Sequence, residues 1–120
     1  MPQFGFQRLD IYQLAKALVL KSYQLTKKFP QDEKFALVQQ INRAAISIPS
    51  NIVEGYGRTT AKDKSHFLNM AYSSMMELIC QYEISEALGY IDQADLDDIT
   101  ASVYRLSVKI SNFRQTVSRP

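Results

Sequence analysis

The sequence predicts an all-α fold, and within that class an antiparallel up-down-up-down four-helix bundle. Apolar residues recur at helical spacing in four segments of roughly 20 to 30 residues, with almost no strand-like alternation between them. The breaks between the segments are short, which makes consecutive helices antiparallel neighbours. With 120 residues, the chain is predicted to form a single domain, residues 1–120.

The first helix is predicted to run from about Asp10 to Lys28. Its apolar side chains cover a face wider than a simple stripe, because a second set lies beside the first. The residues predicted to face the core are Ile11, Leu14, Ala15, Leu18, Ser22 and Leu25, and those beside them are Tyr12, Val19 and Tyr23.

The second helix is predicted from about Asp32 to Tyr56, and its apolar period continues through Pro49. A proline inside a helix removes a backbone hydrogen bond at a cost of about 3 kcal/mol, which leaves two alternatives. In one, the helix bends at Pro49 and continues, with polar side chains bonding near the freed carbonyl. In the other, it stops at Ile48 and Asn51 caps a new helix of about one turn. We favour the kinked continuous helix, because one turn is too short to be stable by itself.

Capping residues mark the last two helices. Thr60 with Asp63 opens the third, which is predicted to stop near Gly89, while Asp92 caps the fourth. Gly57 is predicted to be the left-handed residue that ends the second helix. The residues predicted to face the core are Phe67, Ala71, Ser74, Met75, Leu78, Tyr82 and Ser85 in the third helix and Leu96, Ile99, Val103, Leu106, Ile110, Phe113 and Val117 in the fourth. We expect the ends of the chain, Met1 to Gln7 and Thr116 to Pro120, to be its least ordered parts.

The stretch around Pro49 carries a family resemblance. The strings Gln40-Ile41-Asn42-Arg43-Ala44-Ala45, Ser47-Ile48-Pro49-Ser50-Asn51-Ile52, Glu54-Gly55 and Gly57-Arg58 resemble the signature of the bacterial 23S rRNA-intervening sequence proteins. The similarity extends from Phe29-Pro30 to Gln81 and covers nearly the whole chain, with departures such as Asn42 and Ile79, where the family has charged residues. It implies a four-helix bundle. Similarity to a relative of that family, the accessory variability determinant of diversity-generating retroelements, implies a ring-like pentamer.

Composition and motifs narrow the functional class. The chain is 46% hydrophobic and 22% charged, as an ordinary globular domain is. No apolar run approaches the roughly 18 residues of a membrane span and no signal peptide is evident, so we expect a cytoplasmic protein without membrane association. Cys80, the only cysteine, is expected to be a buried thiol. His66 is the only histidine and no nucleophile motif occurs, so we predict no metal, no cofactor and no catalytic residue.

More apolar side chains are present than one bundle core requires. A second apolar stripe usually marks a partner surface, so we predict that the chain self-associates. The surplus consists of Tyr12, Val19, Tyr23, Val38, Ile46, Val53, Met70, Met76, Ile79, Tyr104 and Val108.

Charge is unevenly distributed. Seven acids and no lysine or arginine lie between His66 and Tyr104, while the basic residues gather elsewhere. The basic residues predicted to contact nucleic acid are Lys21, Lys28, Arg58, Lys62, Lys64, Arg105 and Lys109. The alternative is that they are solvated faces with acidic partners, and a net charge of +2 does not decide between the two. The segment Gly55 to Thr60 is the best candidate anion site, although helix-end geometry alone also explains its glycines and threonines.

Polar residues on the second and third helices suggest a buried network. We predict that it fixes helix register, the alternative being an acid/base role for Glu54 and Glu77. Its members are Arg43, Ser47, Ser50, Asn51, Glu54 and Glu77.

These observations together predict a non-enzymatic, homo-oligomeric helical adaptor. Its basic surfaces would bind RNA, DNA or a nucleic-acid-processing protein, because an oligomer multiplies a modest charge per chain. The alternative is a protein–protein interaction scaffold that binds no nucleic acid and docks a partner helix on the second apolar stripe.

Overall fold

The all-α prediction is confirmed. A computed structural model describes residues 1–118 and contains four long helices and two short 3-10 turns, with no strand in that part of the chain. The helices are α1 (Asp10–Thr26), α2 (Leu37–Gly57), α3 (Ala61–Ala87) and α4 (Gln93–Ser118), and the 3-10 turns are Gly5–Arg8 and Gln31–Glu33. Residues 119 and 120, which include part of the C-terminal tail expected to be disordered, lie outside the described residues.

Each helix packs against two others, in the order α1, α2, α3, α4 and back to α1. Side-chain pairs between α1 and α4 reverse their order along the chain, since Lys28 meets Asp95 whereas Asp10 meets Lys109. These two helices are therefore antiparallel. In this cyclic order, the face between α1 and α2 and the face between α3 and α4 lie on opposite sides of the bundle.

The core follows the predicted apolar positions closely. Most residues predicted to face inward are buried, including Leu18, Ile48, Leu78 and Leu106. One position in α3 differs by a residue, because Leu68 is fully buried while Phe67 lies at the edge of the core. Phe113 and Val117, near the end of α4, are likewise only partly buried, and both pack against the core.

The second helix continues through Pro49, so the alternative in which it stops at Ile48 is wrong. Polar side chains bond to carbonyls on either side of the one that the proline leaves without its usual donor. The Ser47 hydroxyl donates to the carbonyl of Ala44 at 2.7 Å, and the Asn51 amide donates to the carbonyl of Ser47 at 2.8 Å. Neither bond replaces the one that the Ala45 carbonyl loses; side-chain bonds of this kind accompany bends in helices. The bend at Pro49 stays a prediction.

Two helix ends differ from the sequence-based expectation. α2 begins at Leu37 rather than near Asp32, because Gln31–Glu33 forms a separate 3-10 turn that the Tyr90 hydroxyl holds through a 2.7 Å bond to Glu33. Gly57 stays helical, and the chain leaves α2 through an extended Arg58. Among the described residues, the left-handed conformation belongs to Gly89, which has φ 83° just after α3.

The predicted helix caps are confirmed. Thr60 Oγ1 accepts from the amide of Asp63 at 3.1 Å, which satisfies one free donor at the start of α3. Asp92 and Asp95 cap α4 reciprocally, because each carboxylate accepts from the backbone amide of the other, at 2.8 and 3.3 Å.

The N-terminal segment is more structured than expected. Gly5–Arg8 forms a 3-10 turn, and the Phe6 ring packs edge-on against Tyr12 with centroids 5.0 Å apart. Gly5 lies directly against the hydroxyl of Tyr56, so a side chain at position 5 would require the half-exposed Tyr56 ring or the turn to shift. Aromatic contacts of this kind compensate for the ordering of the segment.

At Gly55, α2 lies so close to α3 that little space is left for a side chain. A Cβ atom at this position would lie 3.2 Å from the carbonyl oxygen of Lys64 and 3.3 Å from Cβ of Phe67. Gly57, two residues on, has open space around it and the same helical backbone. Comparing Gly55 with Gly57 therefore distinguishes the packing role of a glycine from its conformational role.

We predict that Gly55→Val lowers the free energy of unfolding by about 1–3 kcal/mol, because the added methyl groups force α2 and α3 apart. Gly57→Val is the matched control and should change stability by only a few tenths of a kcal/mol, on the order of the helix-propensity difference. Urea denaturation followed by circular dichroism measures both. Equal effects at the two positions would contradict the assignment of a packing role to Gly55.

A buried hydrogen-bonded pair joins α1 to α3 in the core. The Tyr82 hydroxyl lies 2.6 Å from Ser22 Oγ and donates to the Ser22 carbonyl at 3.0 Å. Both side chains are fully buried. Burial raises the pKa of Tyr82 to about 12, and the bond to Ser22 opposes this only in part. The folded state therefore holds the phenol proton more tightly than an unfolded chain, whose tyrosine pKa is about 10.

We predict that Tyr82→Phe lowers the free energy of unfolding by about 1–2 kcal/mol near neutral pH, because the Ser22 groups lose their partner. As the pH rises from about 10 to about 12, the unfolded wild type deprotonates before the folded state does, so the wild type loses stability. The phenylalanine variant lacks this loss. Denaturation series at neutral and alkaline pH measure the difference, and parallel curves for the two proteins would contradict it.

Candidate functional site

Three of the predicted nucleic-acid contacts lie along the seam between α1 and α4, and each is paired with an acid. The ion pairs are Lys21 with Asp98 at 3.0 Å, Lys28 with Asp95 at 3.0 Å and Lys109 with Asp10 at 2.9 Å. All are at least partly exposed, so each contributes on the order of 0–1 kcal/mol to stability. Their main consequence is electrostatic, because the positive charge of this seam is neutralised locally.

Of the three ion pairs, the one between Lys28 and Asp95 is supported by the most hydrogen bonds. Lys28 Nζ donates to both carboxylate oxygens of Asp95, at 3.0 and 3.1 Å, and this bond holds the pKa of Asp95 below its usual range. Asp95 also takes part in the cap of α4. Lys28 is therefore bound to a residue that caps the start of α4.

Two further basic residues, Arg58 and Lys64, form contacts at the junction between α2 and α3. Arg58 Nη2 lies 3.1 Å from a carboxylate oxygen of Glu54, and its guanidinium stacks 4.5 Å from the centroid of the Phe67 ring. Lys64 Nζ donates to the carbonyl of Tyr56 at 3.0 Å, near the end of α2. The segment Gly55 to Thr60, predicted as a candidate anion site, thus has its cations engaged in ending one helix and beginning the next.

Lys62 and Arg105 are the remaining members of the predicted set, and neither forms an ion pair or hydrogen bond within residues 1–118. Both are exposed. Lys62 lies in the first turn of α3, at the end of the bundle opposite Lys28, and Arg105 lies midway along α4. The structure therefore does not bring the seven basic residues into one patch.

The predicted polar network is smaller than expected. Its center is the contact between the hydroxyls of Ser47 and Ser74, 2.6 Å apart, with Asn51 bonded to the Ser47 carbonyl. Ser50 and Arg43 are exposed and form no such bond within the described residues. The expectation that Glu54 and Glu77 are partly buried is wrong, because both carboxylates point outward from their helices. Glu54 pairs with Arg58, and Glu77 accepts from Gln81 at 3.2 Å.

A cleft of about 530 Å³ follows the outer side of the α2–α3 interface. From α2 it is lined by Arg43, Ser47 and Asn51, and from α3 by His66, Asn69, Ser73, Ser74 and Glu77, with Ala44 and Met70 as apolar lining. His66, Asn69 and Ser73 were not predicted from the sequence to line a site. The signal that could have found them is their spacing with Glu77, which places polar side chains on one face at gaps of three and four.

An apolar groove runs along the opposite side of α2, where it meets α1. Three adjoining cavities of about 420, 600 and 280 Å³ form it. The first and second share Ile46, and the second and third share Tyr23 and Val38. We call this surface the α1–α2 groove and define it by Phe6, Tyr12, Tyr23, Phe35, Val38, Ile46, Pro49 and Val53. Phe35, 83% exposed, stands at its rim.

A second exposed apolar surface lies across the bundle, on α3 and α4. The bond between Asn69 and Arg114, 2.7 Å, sets the antiparallel register of these helices. Within three turns of this bond along each helix, the same register places Met76 level with Val108 and Ile79 level with Tyr104. We call these four residues the α3–α4 ridge. The Tyr104 side chain is 70% exposed and projects furthest.

Several other expectations concern single residues. Cys80 is exposed on the outer face of α3, so the prediction of a buried thiol is wrong. Within residues 1–118, no three histidine, cysteine, aspartate or glutamate side chains come together as metal ligands would. No helix in that part of the chain combines the length and apolarity that a bilayer crossing requires.

Comparison with known structures supports the fold. The bundle superimposes on the crystal structure of a protein of unknown function from the S23 ribosomal protein family of Bacteroides thetaiotaomicron VPI-5482 with a TM-score of 0.80. The two chains are 20% identical, and the alignment covers 87% of this chain and 97% of the other. No curated protein sequence matches this chain.

The sequence model that describes the 23S rRNA-intervening sequence proteins matches residues 7–112. This range contains α1, α3, most of α4, the helix α2 that continues through Pro49, and all residues of the cleft, groove and ridge described above except Phe6. The chain therefore belongs to the 23S rRNA-intervening sequence protein family.

Proposed function

We propose that this chain is a non-enzymatic cytoplasmic adaptor that assembles into a ring by seating the α3–α4 ridge of one copy in the α1–α2 groove of the next. The observation that carries the proposal is the presence of two different exposed apolar surfaces on opposite sides of one bundle. Contacts between unlike surfaces close into rings when the rotation between copies allows it. The family resemblance implies five copies.

Shape supports the pairing of groove with ridge. The α1–α2 groove is concave, and Ile46 lies where its two largest cavities meet, whereas the ridge presents the projecting ring of Tyr104. A large aromatic side chain that enters an apolar cavity is the usual anchor of a protein interface. A groove-to-groove contact would leave both Tyr104 side chains exposed.

Charge supports it as well. Lys27 and Lys34 line the end of the groove near Phe29, and neither has an ion-pair partner within residues 1–118. Glu83 and Asp97 flank the ridge at the same end of the bundle, where the pair of Lys28 with Asp95 joins α1 to α4. In a ring of parallel subunits, the basic end of each groove therefore meets the acidic end of the neighbouring ridge.

We predict that the wild type has a mass several times the 13.7 kDa of one chain and that Ile46→Glu and Tyr104→Lys each yield monomers. Each variant keeps one intact surface, so mixing the two should give a 1:1 heterodimer and nothing larger. Light scattering after gel filtration measures all three samples. Leu20→Lys, an exposed apolar position on α1 outside both surfaces, is the control and should assemble like the wild type.

The outcomes separate the possible arrangements. If groove pairs with groove, Tyr104→Lys alone will still associate and the mixture will contain no heterodimer. A wild type that stays at the mass of one chain at high concentration would overturn the proposal outright.

RNA binding is a second candidate function. The specific observations in its favour are the unpaired cations Lys62 and Arg105 and the rRNA in the name of the family. Two cations of the predicted set give little attraction per chain, but a ring repeats them around an axis, and phosphate contacts then add. The four ion-paired members, Lys21, Lys28, Arg58 and Lys109, contribute less, because their charges are locally compensated.

We predict that the double variant Lys62→Gln with Arg105→Gln lowers affinity for a structured RNA at least tenfold at low salt and reduces the salt dependence of binding. Lys21→Gln, which removes a paired lysine, is the matched control and should have a smaller effect. Filter binding across a salt series measures both. Absent or salt-independent binding would contradict this function and favour a scaffold that binds protein alone.

A further inference from the structure

We propose that the α2–α3 cleft binds a small zwitterionic ligand, an α-amino acid or a compound with the same adjacent carboxylate and ammonium groups. Arg43 would hold the carboxylate and Glu77 the ammonium. Arg43 also lines the α1–α2 groove, so this site adjoins the groove used in assembly, and it goes beyond the adaptor function.

The register of α2 and α3 places the two charges at the same level. The hydroxyls of Ser47 and Ser74 are 2.6 Å apart, which fixes the antiparallel alignment at that point. Arg43 is four residues before Ser47 and Glu77 is three residues after Ser74, so each lies about one helical turn away in the same direction. Both side chains border the same cleft.

Arg43 and Glu77 border the cleft from α2 and α3 without forming an ion pair. No ion pair or hydrogen bond involves Arg43 within the part of the chain that the structure describes, and Glu77 accepts only a 3.2 Å bond from Gln81. Elsewhere on the surface, the lysines of the α1–α4 seam all find their acids at 3.0 Å or less. Arg43 and Glu77 are therefore not within ion-pair distance, and the cleft of about 530 Å³ that both line has room for a small molecule that complements both charges.

The chemistry of the cleft selects the ligand class. A guanidinium binds a carboxylate through two parallel hydrogen bonds, and a carboxylate accepts readily from an ammonium group. A phosphate monoester carries close to two negative charges, and Glu77 would repel it while Arg43 alone attracts it. The adjacent charges of a zwitterion match one cation and one anion.

The rest of the cleft would contact the remainder of the ligand. Ser47 and Asn51 already have intramolecular partners, so they do not require a ligand to satisfy them. Met70 and Ala44 offer apolar contact to a side chain, and His66 and Ser73 are exposed at the rim with donors and acceptors available. The site therefore favours an amino acid with a side chain that is partly apolar.

The test is isothermal titration calorimetry of the full chain with each of the common α-amino acids and with inorganic phosphate. At least one free amino acid should bind, and its N-acetyl and amide forms should each bind about tenfold or more weakly, because each lacks one charge. Arg43→Gln and Glu77→Gln should each cause a comparable loss. Lys16→Gln and Asp32→Asn, which change exposed residues outside the cleft and outside both apolar surfaces, should bind like the wild type.

Three results would overturn the proposal: no heat with any amino acid, equal binding of the blocked forms, or wild-type affinity in both cleft variants. Phosphate binding tighter than that of every amino acid would overturn it as well. Arg43 and Glu77 are exposed, so the unfolding temperature of the variants should stay close to the wild type and exclude misfolding as a cause. Failure here leaves the assembly test untouched, because that test uses Ile46 and Tyr104.

Discussion

The close contact between α2 and α3 is the constraint on which the other features depend. Gly55 allows the two backbones to approach, and the adjacent hydroxyls of Ser47 and Ser74 hold their alignment farther along. This alignment sets which side chains face each other across the cleft. It also orients α2, so that the other side of the helix presents Ile46 and Pro49 toward α1. One helix thus supplies a wall to each of two chemically different surfaces.

Helical periodicity and capping patterns predicted the four helices, most core residues and the caps at Thr60 and Asp92. These features are local, since they depend on side chains three or four residues apart. The errors arose at positions whose role or burial depends on tertiary contacts. Gly57 was assigned a conformational role, whereas Gly55 has the packing role, which only the approach of α3 reveals. Glu54 and Glu77 were placed too far inward, because a one-residue shift on a helix rotates a side chain by about 100°.

The candidate surfaces were less predictable than the fold. A list of lysines and arginines shows where charge is carried but not whether an acid on another helix compensates it. Lys21 and Lys109 find their partners some 80 to 100 residues away in sequence, as no local pattern could indicate. The excess of apolar side chains was correctly seen, yet its division into a groove and a ridge on opposite sides required the packing order of the helices.

The N-terminal turn has a consequence for the size of the groove. Phe6 forms the last wall of the groove beyond Tyr12, and the turn that carries Phe6 rests on Tyr56 through the bare backbone of Gly5. A side chain at position 5 would have to displace either the half-exposed Tyr56 ring or this turn, so the residue at position 5 governs how closely Phe6 bounds that end of the groove.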